Sequence, residues 1–285
     1  MNSETLRIEQ GSFRVLLCDN GSVSPDAIRA LRDLANSLAG KLNLSVRAVG
    51  LLHSDRVGAG LLDGEAGNVL LSELRQLLEV GERRFALLPF FLGPSFGITD
   101  WLPRELRKLV TAWPGMQVKL GACLHREGDD RLALVLAERV RSMIAEENLH
   151  RPIVAMVDHG TPSREVNLVR ERVGARVREL LGDEVAYLAT CSMERRPQPE
   201  YDFNEPLLEN LLRDPKACPS SQVVVAQFFL SPGRHAGPVG DVAKICRESE
   251  HARVGLRTYL TPPMGDHPLV LEILAERFQE CLESD

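Results

Sequence analysis

The chain has 285 residues, 44% of them apolar and 26% charged, and its 34 basic and 40 acidic side chains leave a formal net charge of −6. That length fits two α/β domains, each large enough to bury its own core without a staple. An acidic balance excludes nucleic acid or an anionic membrane as the main partner, because both select basic surfaces.

The first thirteen residues, MNSETLRIEQGSF, hold no basic stretch followed by an apolar run, so no export signal is expected and the protein is expected to be cytoplasmic. No apolar stretch approaches the roughly 20 residues that a membrane-spanning helix needs. The apolar run at 15–18 predicts a buried parallel strand. Ser24 and Pro25 then open a helix over 26–42, with a capping hydroxyl and a proline in the first turn. Further strands are predicted at 45–52, 85–91 and 118–121, with helices between them. In the second half, strands are predicted at 153–157, 185–190, 223–229 and 254–260. Ser163 opens a helix with apolar residues at helical spacing that stops at Gly182, and a last helix covers 268–281. Alternation of this kind predicts an α/β protein with doubly wound parallel sheets, helices on both faces.

The chain also repeats itself. VLLCDNGS at 15–22 answers VAMVDHGT at 154–161, PFFLGP at 89–94 answers QFFLSP at 227–232, and LAERV at 136–140 answers LAERF at 274–278. The three pairs are collinear and separated by 138 or 139 residues, which predicts two tandem, similar lobes, 1–148 and 149–285, packed together without a long linker.

Sites in open parallel sheets lie at the carboxyl ends of strands. There the second half carries His159, Glu194 and His235, each just beyond a predicted strand. Two imidazoles and a carboxylate suit a divalent first-row metal with an exchangeable position, and a neutral imidazole also accepts protons near neutral pH. Taken singly, each histidine is as readily a hydrogen-bonded turn residue, and Glu194 could pair with Arg195 or Arg196 instead. Five other histidines, His53, His125, His150, His251 and His267, read as solvent-facing or capping residues. The six cysteines show no CxxC spacing and read as reduced, mostly buried thiols. No glycine-rich phosphate loop opens a helix, so no bound nucleotide is expected.

VDHGTPSREVN at 157–167, FFLSPGRHAG at 228–237 and MGDHPLVLEILAERF at 264–278 resemble the sirohydrochlorin cobaltochelatase and ferrochelatase family. The resemblance spans the second half and, more faintly, the first. It implies a class II chelatase fold holding a tetrapyrrole in the cleft between lobes, and insertion of Co²⁺ or Fe²⁺ without ATP. The family's two histidines fall on His159 and His235, and its acidic residue is nearest to Glu194. Arg195, Arg196 and Arg234 beside them suit the carboxylates of sirohydrochlorin. In the first half the matching positions are Asn20 and Gly97, with Asp55 opposite Glu194, so that lobe is expected to serve as a wall. A fused pair would act as a monomer or weak homo-oligomer. Three other readings stand beside this one: a non-catalytic tetrapyrrole or metal carrier, a histidine phosphatase-like hydrolase, and a bilobal solute-binding protein. Asp158 stands where the hydrolase would need an arginine, and the absent export signal counts against the solute binder.

Overall fold

In β1 (Arg14–Asp19), Val15 and Leu17 enter one apolar cluster while Leu16 and Cys18 enter another. This two-residue period marks a strand covered on both faces. The computed structural model describes residues 13–283, so the segment 1–12, read above for an export signal, lies outside it. After β1 come α1 (Pro25–Leu42), β2 (Val46–Gly50), α2 (Leu70–Glu79), β3 (Arg84–Pro89), α3 (Leu102–Ala112), β4 (Gln117–Leu120) and α4 (Arg131–Glu146). The second half repeats the series with β5 (Ile153–Asp158), α5 (Arg164–Leu181), β6 (Tyr187–Ser192), α6 (Leu208–Arg213), β7 (Gln222–Gln227), α7 (Asp241–Ala252), β8 (Arg257–Leu260) and α8 (Pro268–Glu283). Two four-stranded parallel sheets result, ordered β2-β1-β3-β4 and β6-β5-β7-β8.

The inner faces of both sheets feed one shared core, in which Val15, Leu17 and Leu38 join Val154, Met156 and Val177. Helices α2 and α3 cover the outer face of the first sheet, and α6 and α7 that of the second. The last helix of each half crosses over: α4 packs on α5 and β7, while α8 packs on α1, β3 and β4. Polar contacts hold the exchange. The buried Arg277 of α8 donates to the carbonyls of Cys123 and Leu124, both at 3.1 Å, and Arg139 of α4 donates to Asp266 at 2.6 Å. His267 is buried at the start of α8, where Nδ1 accepts from the Leu269 amide at 3.2 Å and Nε2 lies 3.2 Å from Glu138. It therefore caps its helix, as expected, and joins the halves as well.

Local details depart from the sequence reading. Ser24 and Ser163 occupy the N-cap positions, but neither hydroxyl caps its helix; Ser163 donates to Glu165 at 2.9 Å. Val254, assigned above to the last strand, is fully exposed in the turn that Gly255 makes at φ 89°, so β8 starts only at Arg257. All six cysteines are free of disulfides and five are buried; burial pushes the Cys123 thiol up to about 11 and Cys246 up to about 12. Thiols held protonated in this way are poor metal ligands. Among the described residues, no helix is long and apolar enough to cross a membrane.

Candidate metal-handling site at the lobe interface

Strands β6, β5 and β7 are neighbours, so residues just beyond their carboxyl ends share one edge of the second sheet. His159 follows β5 by one residue and Glu194 follows β6 by two, while His235 sits in the longer loop between β7 and α7. The rings of His159 and His235 meet edge to face, with centroids 4.6 Å apart and planes at 71°. Two imidazoles bound to one ion through bonds of about 2.1 Å hold their centres on the order of 5 Å apart. The observed spacing is of that size.

In both rings Nδ1 is already engaged. His159 Nδ1 lies 3.0 Å from the Gly160 carbonyl, and His235 Nδ1 lies 2.7 Å from Asp241 Oδ2. A carbonyl can only accept, so His159 carries its proton on Nδ1 when neutral, and the carboxylate favours the same form in His235. Each Nε2 is then left with its lone pair. Glu194 Oε1 lies 3.5 Å from His159 Nε2, and its side chain is 63% exposed. Among the described residues no group of three or more His, Cys, Asp or Glu side chains is placed to hold a metal ion. Glu194 therefore does not complete a three-residue ligand set with His159 and His235.

A buried polar network fixes the loop that presents His159. Asp158 Oδ1 accepts from the Gly160 amide at 3.0 Å, the Ser192 hydroxyl at 2.7 Å and Arg170 at 3.3 Å. Arg170 is 1% exposed and also donates to Ser192, to the Phe203 and Asn204 carbonyls and to Glu171. Asn204 clamps Thr161 in both directions, accepting from its amide and donating to its carbonyl, both at 2.9 Å. Gly160 adopts φ 92°, and a Cβ there would lie 1.9 Å from the Glu194 carbonyl oxygen. Only glycine lets the loops that carry His159 and Glu194 approach so closely.

The arginines behave differently from one another. Arg195 pairs with Glu205 at 2.7 Å and Asp202 at 3.2 Å. Arg196 lies over the Tyr201 ring and donates to its hydroxyl at 3.1 Å. Arg234 is 76% exposed, 4.0 Å from Asp241.

The first lobe makes the same backbone construction with different side chains. Met193 and Glu194 donate to the Asp158 and His159 carbonyls at 2.7 and 3.2 Å; Leu51 and Leu52 donate to those of Asp19 and Asn20 at 2.8 and 3.3 Å. A Cβ on Gly21 would strike the Leu52 carbonyl, as one on Gly160 would strike that of Glu194. The structural counterpart of Glu194 is thus Leu52. The equal-offset pairing with Asp55 fails because the connection from α5 to β6 is longer than that from α1 to β2, which shifts the register before these strands begin; Asp55 lies in a short turn of helix over Ser54–Arg56. A cleft of about 280 Å³ between the lobes is lined by equivalent residues of both, Asn20 with His159, Phe91 with Phe229, and Leu92 with Leu230.

Residues 153–281 match the CbiX family model. The second lobe is thus similar to the CbiX family. Over 129 residues the chain is 28% identical to the chloroplastic sirohydrochlorin ferrochelatase of Arabidopsis thaliana, a match covering 45% of this chain and 52% of that protein. The chain thus spans about half the length of that curated relative. The fold of both lobes together is similar to that of SirB from Bacillus subtilis. Its structure with cobalt has a TM-score of 0.68 at 12% identity, covering 95% of this chain and 96% of that one. The SirB structure with Fe³⁺ gives 0.67 at 13% identity, covering 95% of each chain. A CbiX described as the terminal enzyme of siroheme biosynthesis in denitrifying bacteria gives 0.60 at 15% identity, covering 94% and 99%.

Sequence reasoning missed Asp241, Arg170 and Asn204. Arg170 had a signal: it stands on the apolar stripe of α5 with Val166, Val173 and Val177, where a charge implies a buried partner. Asp241 had one too, an acid in the first turn of a helix that follows a histidine loop. Asn204 comes from a distant turn, and no local pattern points to it.

Proposed function

We propose that the protein inserts a divalent metal, Co²⁺ or Fe²⁺, into sirohydrochlorin without using a nucleotide. The observation that carries this reading is the convergence of His159 and His235 beside the inter-lobe cleft, each with Nδ1 occupied and Nε2 left for a metal. The names of the relatives, a sirohydrochlorin ferrochelatase and a sirohydrochlorin chelatase holding cobalt, support the same substrate class.

In this reading the metal is a substrate, held by two imidazoles and water before transfer. Insertion exchanges the ion for two pyrrole protons, which must leave the ring. Glu194, exposed and 3.5 Å from His159 Nε2, accepts one as general base, and a vacated imidazole takes the other. Arg234 and Arg196 stand at the rim for substrate carboxylates. At about 280 Å³ the cleft is small for a ligand site, so the macrocycle rests across its mouth against the first lobe. The same proposal takes 1–148 and 149–285 as the duplicated units and places the protein in the cytoplasm as a monomer or weak homo-oligomer.

The second reading, a carrier that holds metal or tetrapyrrole without turnover, draws on the first lobe, where Asn20 and Leu52 replace His159 and Glu194. One assay separates the two. Sirohydrochlorin and Co²⁺ are mixed anaerobically with a hundredth of an equivalent of protein, and the absorption spectrum is followed. Complete metallation faster than the protein-free control, lost in His159→Ala and His235→Ala, supports the chelatase. Metallation limited to the protein concentration, or none above the control, supports the carrier.

A further inference from the structure

The two histidines are held in unlike ways. His159 is backed by a neutral carbonyl and its side chain is 44% exposed; His235 is backed by a carboxylate and is 33% exposed. Asp241 is the first residue of α7, and the start of that helix fixes the backbone of the histidine loop as well as the ring. The Asp241 amide donates to the Arg234 carbonyl at 3.0 Å and the Val242 amide to that of His235 at 3.1 Å. Gly240, the preceding residue, lies against the loop so closely that a Cβ would stand 2.7 Å from the His235 carbonyl carbon and oxygen. From the other side, Gln227 at the end of β7 accepts from the Gly237 amide at 3.0 Å. The ring of His235 is thus set by a rigid frame, with its Nδ1–H directed into a carboxylate.

The geometry points to a division of labour: Asp241 is a positioning residue that makes His235 the stationary anchor for the incoming ion, while His159 with Glu194 forms the half that releases it. The inference rests on the proposed metal-handling role of the pair and adds the order in which the ligands act. A carboxylate behind an imidazole fixes the tautomer with Nε2 unprotonated and makes that nitrogen a stronger donor; loss of such a partner commonly lowers metal affinity by about 10- to 100-fold. The ion stays on His235 while the bond to His159, backed only by a carbonyl, breaks first as a ring nitrogen takes its place. Glu194 stands on that side, where a proton must be received.

The test uses the full chain and Co²⁺ alone, titrated anaerobically and followed in the visible spectrum, with ¹⁵N shifts of the histidine side chains as a second readout. Asp241→Ala and Asp241→Asn are expected to weaken Co²⁺ binding by about 10- to 100-fold and to move His235 toward the Nε2–H tautomer, with partial recovery in Asp241→Glu. Glu194→Gln is expected to leave Co²⁺ affinity within about twofold of the parent while slowing metallation of sirohydrochlorin. Circular dichroism of each variant verifies that α7 remains. If folded Asp241 variants keep parental Co²⁺ affinity and unchanged His235 shifts while His235→Ala loses the metal, the anchor role of Asp241 is refuted and the metal site stands. If His235→Ala and His159→Ala also bind Co²⁺ like the parent, the metal-handling reading itself fails.

Discussion

Asn20 lines the same cleft as His159, from the opposite lobe and at the equivalent strand end. The first lobe thus keeps the backbone of this edge and none of the proposed ligands, and its nearby surface is apolar: Leu52 is 40% exposed and Phe96 55%. Leu52 is bonded through its amide to the cleft-lining Asn20 and Phe96 follows the cleft-lining Ser95, and such exposed apolar side chains beside a cleft offer a surface for the face of a flat macrocycle. Leu52→Ser combined with Phe96→Ser is predicted to raise KM for sirohydrochlorin about tenfold and to leave kcat within about twofold, since the proposed reacting groups are in the other lobe. Steady-state kinetics at saturating Co²⁺ test this.

Gly160 is required for a stated reason, the 1.9 Å approach of its missing Cβ to the Glu194 carbonyl. Gly115 has a similar φ of 85° with no atom within 4 Å, so it isolates the backbone cost from the clash. Gly115→Ala is predicted to cost about 1 kcal/mol, and Gly160→Ala at least about 2 kcal/mol together with most of the metallation rate. Urea denaturation and the anaerobic assay measure the two effects.

Arg170 is the buried partner of Asp158. Replacing it by methionine leaves the Asp158 carboxylate buried beside a single hydroxyl and one amide, at a predicted cost of about 3–5 kcal/mol. Adding Asp158→Asn removes the stranded charge and is predicted to restore more than half of that loss. A double-mutant cycle in urea provides the check.

Asp19 is the first-lobe counterpart of Asp158, but Leu31 stands in α1 where Arg170 stands in α5. Burial raises its carboxyl to about 6, only partly offset by the Gly21 amide at 2.8 Å. The folded state therefore holds the Asp19 proton more tightly than the unfolded chain, so this group destabilises the fold above about pH 6. The penalty fades as the pH falls through 6 and is gone near the unfolded value of about 4. Asp19→Asn is predicted to stabilise the protein by about 1–3 kcal/mol at pH 8 and by nothing measurable at pH 4. Melting curves across that range decide it.

Much of this arrangement was legible in the sequence. Apolar runs of four to six residues identify β1, β5 and β7, because strands covered on both faces tolerate few polar residues. The spacing of three motif pairs foretells the common strand order of the two sheets, and strand-end logic brings His159 to His235. Other features depend on three-dimensional neighbours. The exchange of α4 and α8 leaves the order of elements unchanged, so alternation alone does not reveal it. The Leu52–Glu194 equivalence is set by backbone hydrogen bonds, and a shift in loop length hides it from a constant offset. The pairing of Arg195 with Glu205 and Asp202 likewise joins residues that no local pattern links.

The most direct measurement is anomalous diffraction from crystals soaked anaerobically in Co²⁺. The account predicts one strong cobalt peak at about 2.1 Å from both Nε2 of His159 and Nε2 of His235, with remaining positions filled by water. A peak bound to only one of these nitrogens, or cobalt sites elsewhere with this edge of the second lobe bare, would contradict it.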